Sequence, residues 1–401
     1  MTRPWPAGMY AATDPPRRVE TDLLRGLRSG APLPDRLPVI GRSPEPGMAE
    51  VTFAWAPDDP AHVGWDVMVH VNSITDANRE DIGPARMEWI GDTGVAALGY
   101  LLPDDLVASY RIVTMPRIPD DAGRTPEGWR AVHAAGVPDP RNAEHIPNPL
   151  GHGSSVLRMP GSPRHPAESP DAPVRRHHQT TDLDLPADSP APWSRLLVPD
   201  DGAERLVVLF DGESWDGLPL EDALRRIGGP PAAIAIVGSG GRSGRVALLP
   251  DADAVGHALE HVLDACRHTV IGEVITPANV IVAGQSLGGL AAASVVVHRP
   301  DLAMTAIAQS GSYWHGAPEG TPRTEDGRLP AAARESDLGG RRLVIQYGRH
   351  ERVLGPLSRR FADTCRASGA GVVLREYPGG HDYAWWMTGL LDALDVLSDV
   401  T

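Results

Sequence analysis

From about residue 50 the chain alternates short apolar runs with turn-forming residues. "AEVTFAWAP" (49–57), "WDVMVHVNS" (65–73), "ARMEWIGDT" (85–93), "GVAALGYLLP" (94–103) and "ASYRIVTMP" (108–116) each read as a strand. Strands of that length at that spacing predict an antiparallel β-sandwich of immunoglobulin-like type. The Pro- and Ser-rich "PGSPRHPAESPDAP" (160–173) then reads as a linker or an irregular wall. Beyond residue 176 the rhythm changes. The buried-strand run "RLVVLF" (205–210) and the strands "AAIAIVG" (232–238), "NVIVAG" (279–284), "AMTAIAQSG" (303–311), "RRLVIQYG" (341–348) and "VVLREYP" (372–378) alternate with helical segments. The clearest helices are 253–268, 287–299, 354–369 and 384–399, with a shorter one at 219–227. Apolar strands interleaved with helices predict a mostly parallel sheet covered on both faces, an α/β architecture. The expected organisation is an N-terminal extension over 1–45, partly irregular with a short helix in "VETDLLRGLRS", a β-sandwich over 46–158, a linker over 159–176 and an α/β domain over 177–401.

Composition narrows the chemistry. The 401 residues carry a formal net charge of -15, which argues against nucleic acid or an anionic membrane as a general partner. All 37 basic residues are arginines, so a lysine nucleophile or Schiff base is excluded, and forked donors for oxyanions are plentiful. Two cysteines, Cys266 and Cys365, cannot build a Cys-rich zinc site or a disulfide framework. No signal-peptide pattern and no stretch of transmembrane length is visible, so a cytoplasmic protein is expected.

The chemical signal is G-x-S-x-G at Gly284-Gln285-Ser286-Leu287-Gly288, where a strand runs into a helix. A serine on so sharp a turn projects above the sheet, and the helix N-terminus favours developing negative charge. With 43 glycines in the chain the motif alone is weak, and Ser286 could be a plain helix N-cap. The flanking strand and helix supply the context that the motif requires. Chain order in α/β-hydrolases is Ser, acid, His. His381 in "YPGGHDYAWW" follows the last strand, where the base belongs. Glu351 follows the strand ending at Tyr347 and is the favoured acid, with Asp382 as competitor. The amide of Leu287 is one expected oxyanion donor. That of Gly212, or of Glu213 beside it, is the second, in the loop after "VVLF".

Several stretches together resemble the enterochelin (enterobactin) esterase family: "SYRIV" (109–113), "DPRNAEHIPNP" (139–149), "SSVLRMPGSP" (154–163), "VVLFDGESW", "VIVAGQSLGGLAA", "AIAQSGSYW" (306–314) and "YPGGHDYAWW". The resemblance runs in order from about residue 45 to the end. It implies an α/β-hydrolase behind an N-terminal sandwich, and hydrolysis of the lactone esters of a ferric catecholate siderophore inside the cell. It implies Ser286 as nucleophile, His381 as base and Arg245 as a substrate-binding residue. It implies no protein-bound metal and no cofactor, iron arriving only with the substrate. Arg242, Trp215, Tyr313 and Trp314 are further candidates for an anionic catechol substrate, and Trp385, Trp386, Arg124 and Arg130 weaker ones. The chain departs from the family around Arg245. Leu248 stands where family members carry a carboxylate, Gly238 where they tend to have Asp, and Arg242 is an added cation. The alternatives are an esterase for another substrate, such as a carbohydrate-linked acyl ester, an acyltransferase, and a non-catalytic siderophore binder. The oligomeric state is not legible.

Overall fold

The computed structural model describes residues 14–147 and 153–398. The first 13 residues of the expected N-terminal extension, and 148–149 at the end of "DPRNAEHIPNP", lie outside them. The described residues pack as two units, those up to 163 with 378–385, and 164–377 with those from 386 onward.

In the first unit, helix α1 (Asp22–Arg28) is capped by Thr21, whose hydroxyl accepts from the Leu24 amide at 3.2 Å. The main strands are β1 (Met48–Trp55), β2 (Asp66–Val71), β3 (Ala96–Pro103), β4 (Val107–Met115) and β5 (Ser154–Arg158), with helix α2 (Pro126–Ala135) before β5. Strand β1 pairs with β3 in one sheet, and β4 pairs with β2 and β5 in another, all antiparallel. Alternate side chains of both sheets meet in one buried cluster. Val51, Phe53, Leu98 and Tyr100 come from one sheet, and Val67, Val69, Tyr110, Ile112 and Leu157 from the other. The ring edge of Phe53 reaches Tyr110 at 5.1 Å between centroids. This is the two-sheet packing expected from the alternation. The "ARMEWIGDT" run yields only the two-residue strand Glu88–Trp89, because Pro84 sits in a 3-10 turn just before it.

Helix α2 was not apparent from the sequence. Its Trp129 and Val132 pack on Met68, Val113 and Ile118, against the outer face of the second sheet. Beside them His70 of β2 lies 4.4 Å from the His133 ring, and its Nε2 is 3.7 Å from Asp76. Burial, reinforced by His70 and Arg111 and opposed by Asp76, pushes His133 down to about 3.

In the second unit an eight-stranded sheet is built from β6 (His178–Leu183), β7 (Ser194–Pro199), β8 (Arg205–Leu209), β9 (Ala232–Val237), β10 (Val280–Gln285), β11 (Thr305–Gln309), β12 (Arg342–Gly348) and β13 (Gly371–Tyr377). The order is β6-β7-β9-β8-β10-β11-β12-β13. Strand β7 is antiparallel to both neighbours, and β8 to β13 run parallel. Helices are α3 (Leu220–Leu224), α4 (Gly241–Leu248), α5 (Ala252–Arg267), α6 (Leu287–His298), α7 (Arg328–Glu335), α8 (Leu354–Ala367) and α9 (Tyr383–Ser398). Both faces of the central strands β8 to β12 are buried, which is why they read as apolar runs, whereas the edge strands β6 and β13 are largely exposed. Val208 and Val282 face a core shared with α5, α6 and α8, while Val207, Leu209 and Ile281 face one shared with α3 and α9. The Pro-rich stretch is an irregular wall of this unit from residue 164 onward. Glu168 accepts from Thr388 at 2.6 Å, and His165 meets Asp395 at 3.0 Å. Among the described residues no helix is long and apolar enough to cross a membrane.

The His133 shift has a checkable sign. The folded imidazole is neutral while the unfolded one takes up a proton near pH 6.5. The stability it contributes is therefore present above pH 6.5 and is lost as pH falls toward 3. Hydrogen-exchange protection of β2 and β4 should drop by about 3 kcal/mol between pH 7 and 4. His133→Gln should flatten that slope; an unchanged slope would show that His133 does not drive it.

Candidate active site

Ser286 sits between β10 and α6 with φ 58° and ψ -116°, a conformation that a non-glycine residue holds only when its surroundings dictate it. Here they do. A Cβ on Gly284 would come within 2.6 Å of the Gly288 carbonyl carbon, and one on Gly289 within 2.7 Å of the Gln309 carbonyl. The glycines let the helix start directly against the strand. The Ser286 amide donates to Gln309 O at 2.9 Å, and its carbonyl accepts from Ser312 N at 3.1 Å, so both sides of the residue are tied to the end of β11.

Two backbone donors stand beside this turn. The Leu287 amide opens α6 and has no acceptor among the described residues. The Gly212 amide is buried and likewise has none. A buried amide without a partner is rare in folded proteins, so that of Gly212 is a signal, while the Leu287 amide, half-buried at the first position of α6, is open because a helix start leaves it so. Gly212 follows Asp211, held left-handed at φ 66°. That step lies against the Ser286 turn: a Cβ on Gly288 would be 3.3 Å from the Asp211 Cβ.

Glu351 is buried at the end of β12. Its Oε2 accepts from the Gly348 amide at 2.8 Å and from Ser310 Oγ at 2.9 Å. Trp386 Nε1 in turn donates to Ser310 Oγ at 3.0 Å, which orients the hydroxyl toward the carboxylate. His381 lies in the segment 378–385 that packs with the first unit, although sequence placed it inside a continuous 177–401 domain. Its amide donates to Ser73 Oγ and its carbonyl accepts from Asn72 Nδ2, both at 3.1 Å. The neighbouring Asp382 is buried and commits its oxygens to the Ser109 amide at 2.5 Å and the Ala384 amide at 3.0 Å. Its burial raises its pKa.

The expected substrate contacts fare unevenly. Trp215 is not a pocket residue: it is fully buried, with Nε1 donating to Phe210 O at 3.3 Å. Tyr313 is also core, stacked on Phe361 at 4.2 Å. Trp385 and Trp386 are buried too. Trp314 stays half-buried, with the Arg323 guanidinium 4.0 Å above its ring. Arg245 was expected in a loop, but it lies on helix α4, and its Nε donates to buried Asp211 at 2.7 Å. Burial raises the Asp211 pKa and the Arg245 charge opposes that rise. Arg242, one turn earlier, is exposed and has no ion pair among the described residues. In the first unit Arg124 donates to Glu80 O, and Arg130 pairs with Glu127. Sequence reasoning missed the anchoring roles of Asp211 and of the Glu213 carboxylate. The signal was there in two acids bracketing Gly212 and a glycine-rich "GSGG" run downstream.

Gly238, at a position where a carboxylate was expected, has a steric explanation. A Cβ there would lie 2.2 Å from the Trp193 indole, which occupies the space.

Residues 50–168 match the family model for the enterochelin esterase N-terminal domain, and residues 253–397 match the Esterase model. The iron(III) enterobactin esterase of Escherichia coli (strain K12) is 27% identical over 369 residues, spanning 86% of this chain and 90% of that protein. The iron(III) salmochelin esterase of Escherichia coli O6:H1 is 26% identical over 387 residues, spanning 90% of this chain and 89% of that protein. The enterobactin esterase from Shigella flexneri, crystallised in the presence of enterobactin, superposes with a TM-score of 0.75 at 25% identity, covering 90% of this chain and 96% of that one.

Gly238→Ala should destabilise the protein by about 1–3 kcal/mol through overpacking against Trp193. Trp193→Ala in the same chain should remove most of that penalty. Additive losses in denaturant titrations would show that the indole is not the obstacle.

Proposed function

We propose that this chain, which belongs to the enterochelin esterase family, is a serine esterase that cleaves the lactone bonds of a ferric catecholate siderophore of enterobactin type and so releases iron inside the cell. The observation that carries the chemistry is the strained Ser286 turn with the two unpartnered amides of Leu287 and Gly212 beside it. The named relatives, which are iron(III) enterobactin and salmochelin esterases over nearly the whole chain, support the substrate class. We read the second unit as an α/β-hydrolase, from its antiparallel second strand and the serine turn after its fifth strand.

The reaction is acyl transfer to water. His381 accepts the Ser286 proton as the hydroxyl oxygen attacks the lactone carbonyl. The carbonyl oxygen becomes an oxyanion and takes hydrogen bonds from the Leu287 and Gly212 amides. His381 protonates the leaving alkoxide, and the ring opens to an acyl-enzyme. Water, deprotonated by His381, then attacks that ester and frees Ser286. Glu351 orients His381 and stabilises the imidazolium; its buried oxygen held by Ser310 and Gly348 suits that role. No resident cofactor enters these steps, and iron is part of the substrate. Arg242 and Trp314 are the candidates from the sequence that stay accessible to an anionic aromatic ligand. With Arg245 tied to Asp211, Arg242 in the first turn of α4 is the cation left for the catecholate charge.

Ferric and iron-free enterobactin, incubated with the protein and resolved by mass, should yield linear trimer, dimer or monomer of dihydroxybenzoylserine. Ser286→Ala should yield none. Cleavage of a nitrophenyl ester with neither siderophore turned over would keep the esterase and discard this substrate. Glu351→Gln should lower kcat by about 100-fold or more, by analogy with the loss of a triad carboxylate. A kcat within a few-fold of the parent would assign the orienting acid elsewhere.

A further inference from the structure

The loop carrying Gly212 has little regular structure to aim its amide. It consists of left-handed Asp211 and a single 3-10 turn, Gly212–Ser214. What holds it is a pair of crossed links to the segment that opens α4. The Glu213 carboxylate accepts from the amides of Ser239 (3.0 Å to each oxygen), Gly240 (2.9 Å) and Gly241 (3.2 Å), and from Ser239 Oγ at 3.0 Å. Gly240 and Gly241 both have positive φ, 79° and 71°, which turns successive N–H groups toward one point and forms an anion nest. In the other direction Arg245 reaches back to Asp211. Gly212 is thereby pressed on Val237 and Trp193, where a Cβ would come within 2.8 Å and 2.9 Å. The amide hydrogen bonds outweigh the effect of burial and hold the Glu213 carboxyl below the usual carboxylate range, so it remains an anion at neutral pH.

We propose that Glu213 is a positioning residue for the oxyanion donor: by filling the nest at the start of α4 it fixes the direction of the neighbouring Gly212 amide toward the Ser286 turn. The inference rests on the serine-esterase reading and adds to it a residue that touches neither substrate nor nucleophile. A nest closed by the protein's own carboxylate is also unavailable to anionic substrate. That leaves the side chain of Arg242 in the first turn of α4, not the amides that open the helix, to meet the charge of a catecholate.

The test compares the parent, Ser286→Ala, Glu213→Ala and Glu213→Gln on a nitrophenyl ester, with active sites titrated so that only folded enzyme is counted. A boronic acid supplies the second readout, since its tetrahedral adduct on Ser286 places an oxygen in the oxyanion site. Glu213→Ala should lower kcat about 10- to 100-fold with KM within about twofold, and boronate affinity should fall in step. Glu213→Gln, which keeps one acceptor oxygen, should recover part of both. Asp251→Ala is the control: it removes another carboxylate cap, over α5, and should lower Tm while leaving kcat unchanged. A kcat per active site within twofold of the parent, or unchanged boronate affinity, overturns the proposal while leaving the esterase in place. Absence of Ser286-dependent turnover in the parent overturns both. If Glu213→Ala does not fold, Glu213→Gln decides by the same two readouts.

Discussion

The second unit is organised around the close approach of α6 to the sheet at Ser286. A helix cannot begin one residue after a buried strand unless the residue between them takes a left-handed conformation and its neighbours lack side chains. Gly284 and Gly289 meet that need, each with backbone of the opposing element within 3 Å of where a Cβ would stand. The strain is then locked by hydrogen bonds to Gln309 and Ser312. The same packing places the first amide of α6 where no helical carbonyl can take it, so the geometry that exposes the serine also creates a donor for negative charge.

The second donor that we propose, the Gly212 amide, is held by one ion pair and a set of amide hydrogen bonds rather than by regular secondary structure. Asp211 and Glu213 bracket Gly212 and both reach into the region of α4, one to a guanidinium and one to a nest of amides. An arginine that looks free in sequence is thus committed, and a carboxylate that looks solvent-exposed closes an anion site. The acid Glu351 follows a similar logic. It is buried, met by a backbone amide and by a serine hydroxyl that an indole orients.

Much of this was legible in the sequence because the patterns are strong. Short strand-like runs between turn signals marked β1 to β4, and strand runs interleaved with helical segments marked β8 to β13. The glycines around Ser286 marked the turn. The failures have physical reasons. Helix α4 is "GRSGRVAL", with low intrinsic helix preference, and it forms because Gly240 and Glu213 cap its start. Trp215 and Tyr313 sit in the loops that follow β8 and β11, where an aromatic ring can turn to a pocket or to the core. Volume decides that, and volume is not written in a local pattern. Residues 378–385 follow the last strand in sequence, yet Ser73, Asn72 and Ser109 of the first unit hold them by hydrogen bonds that no periodicity foretells.

The claim that everything else depends on is covalent chemistry at Ser286. The most direct measurement is rapid acid quench of the protein with ferric enterobactin during turnover, followed by mass spectrometry of the peptide containing Ser286. The account predicts a dihydroxybenzoylserine ester on that serine, appearing before free product and absent from Ser286→Ala. Turnover of the siderophore with no adduct on that peptide, retained in Ser286→Ala, would contradict it.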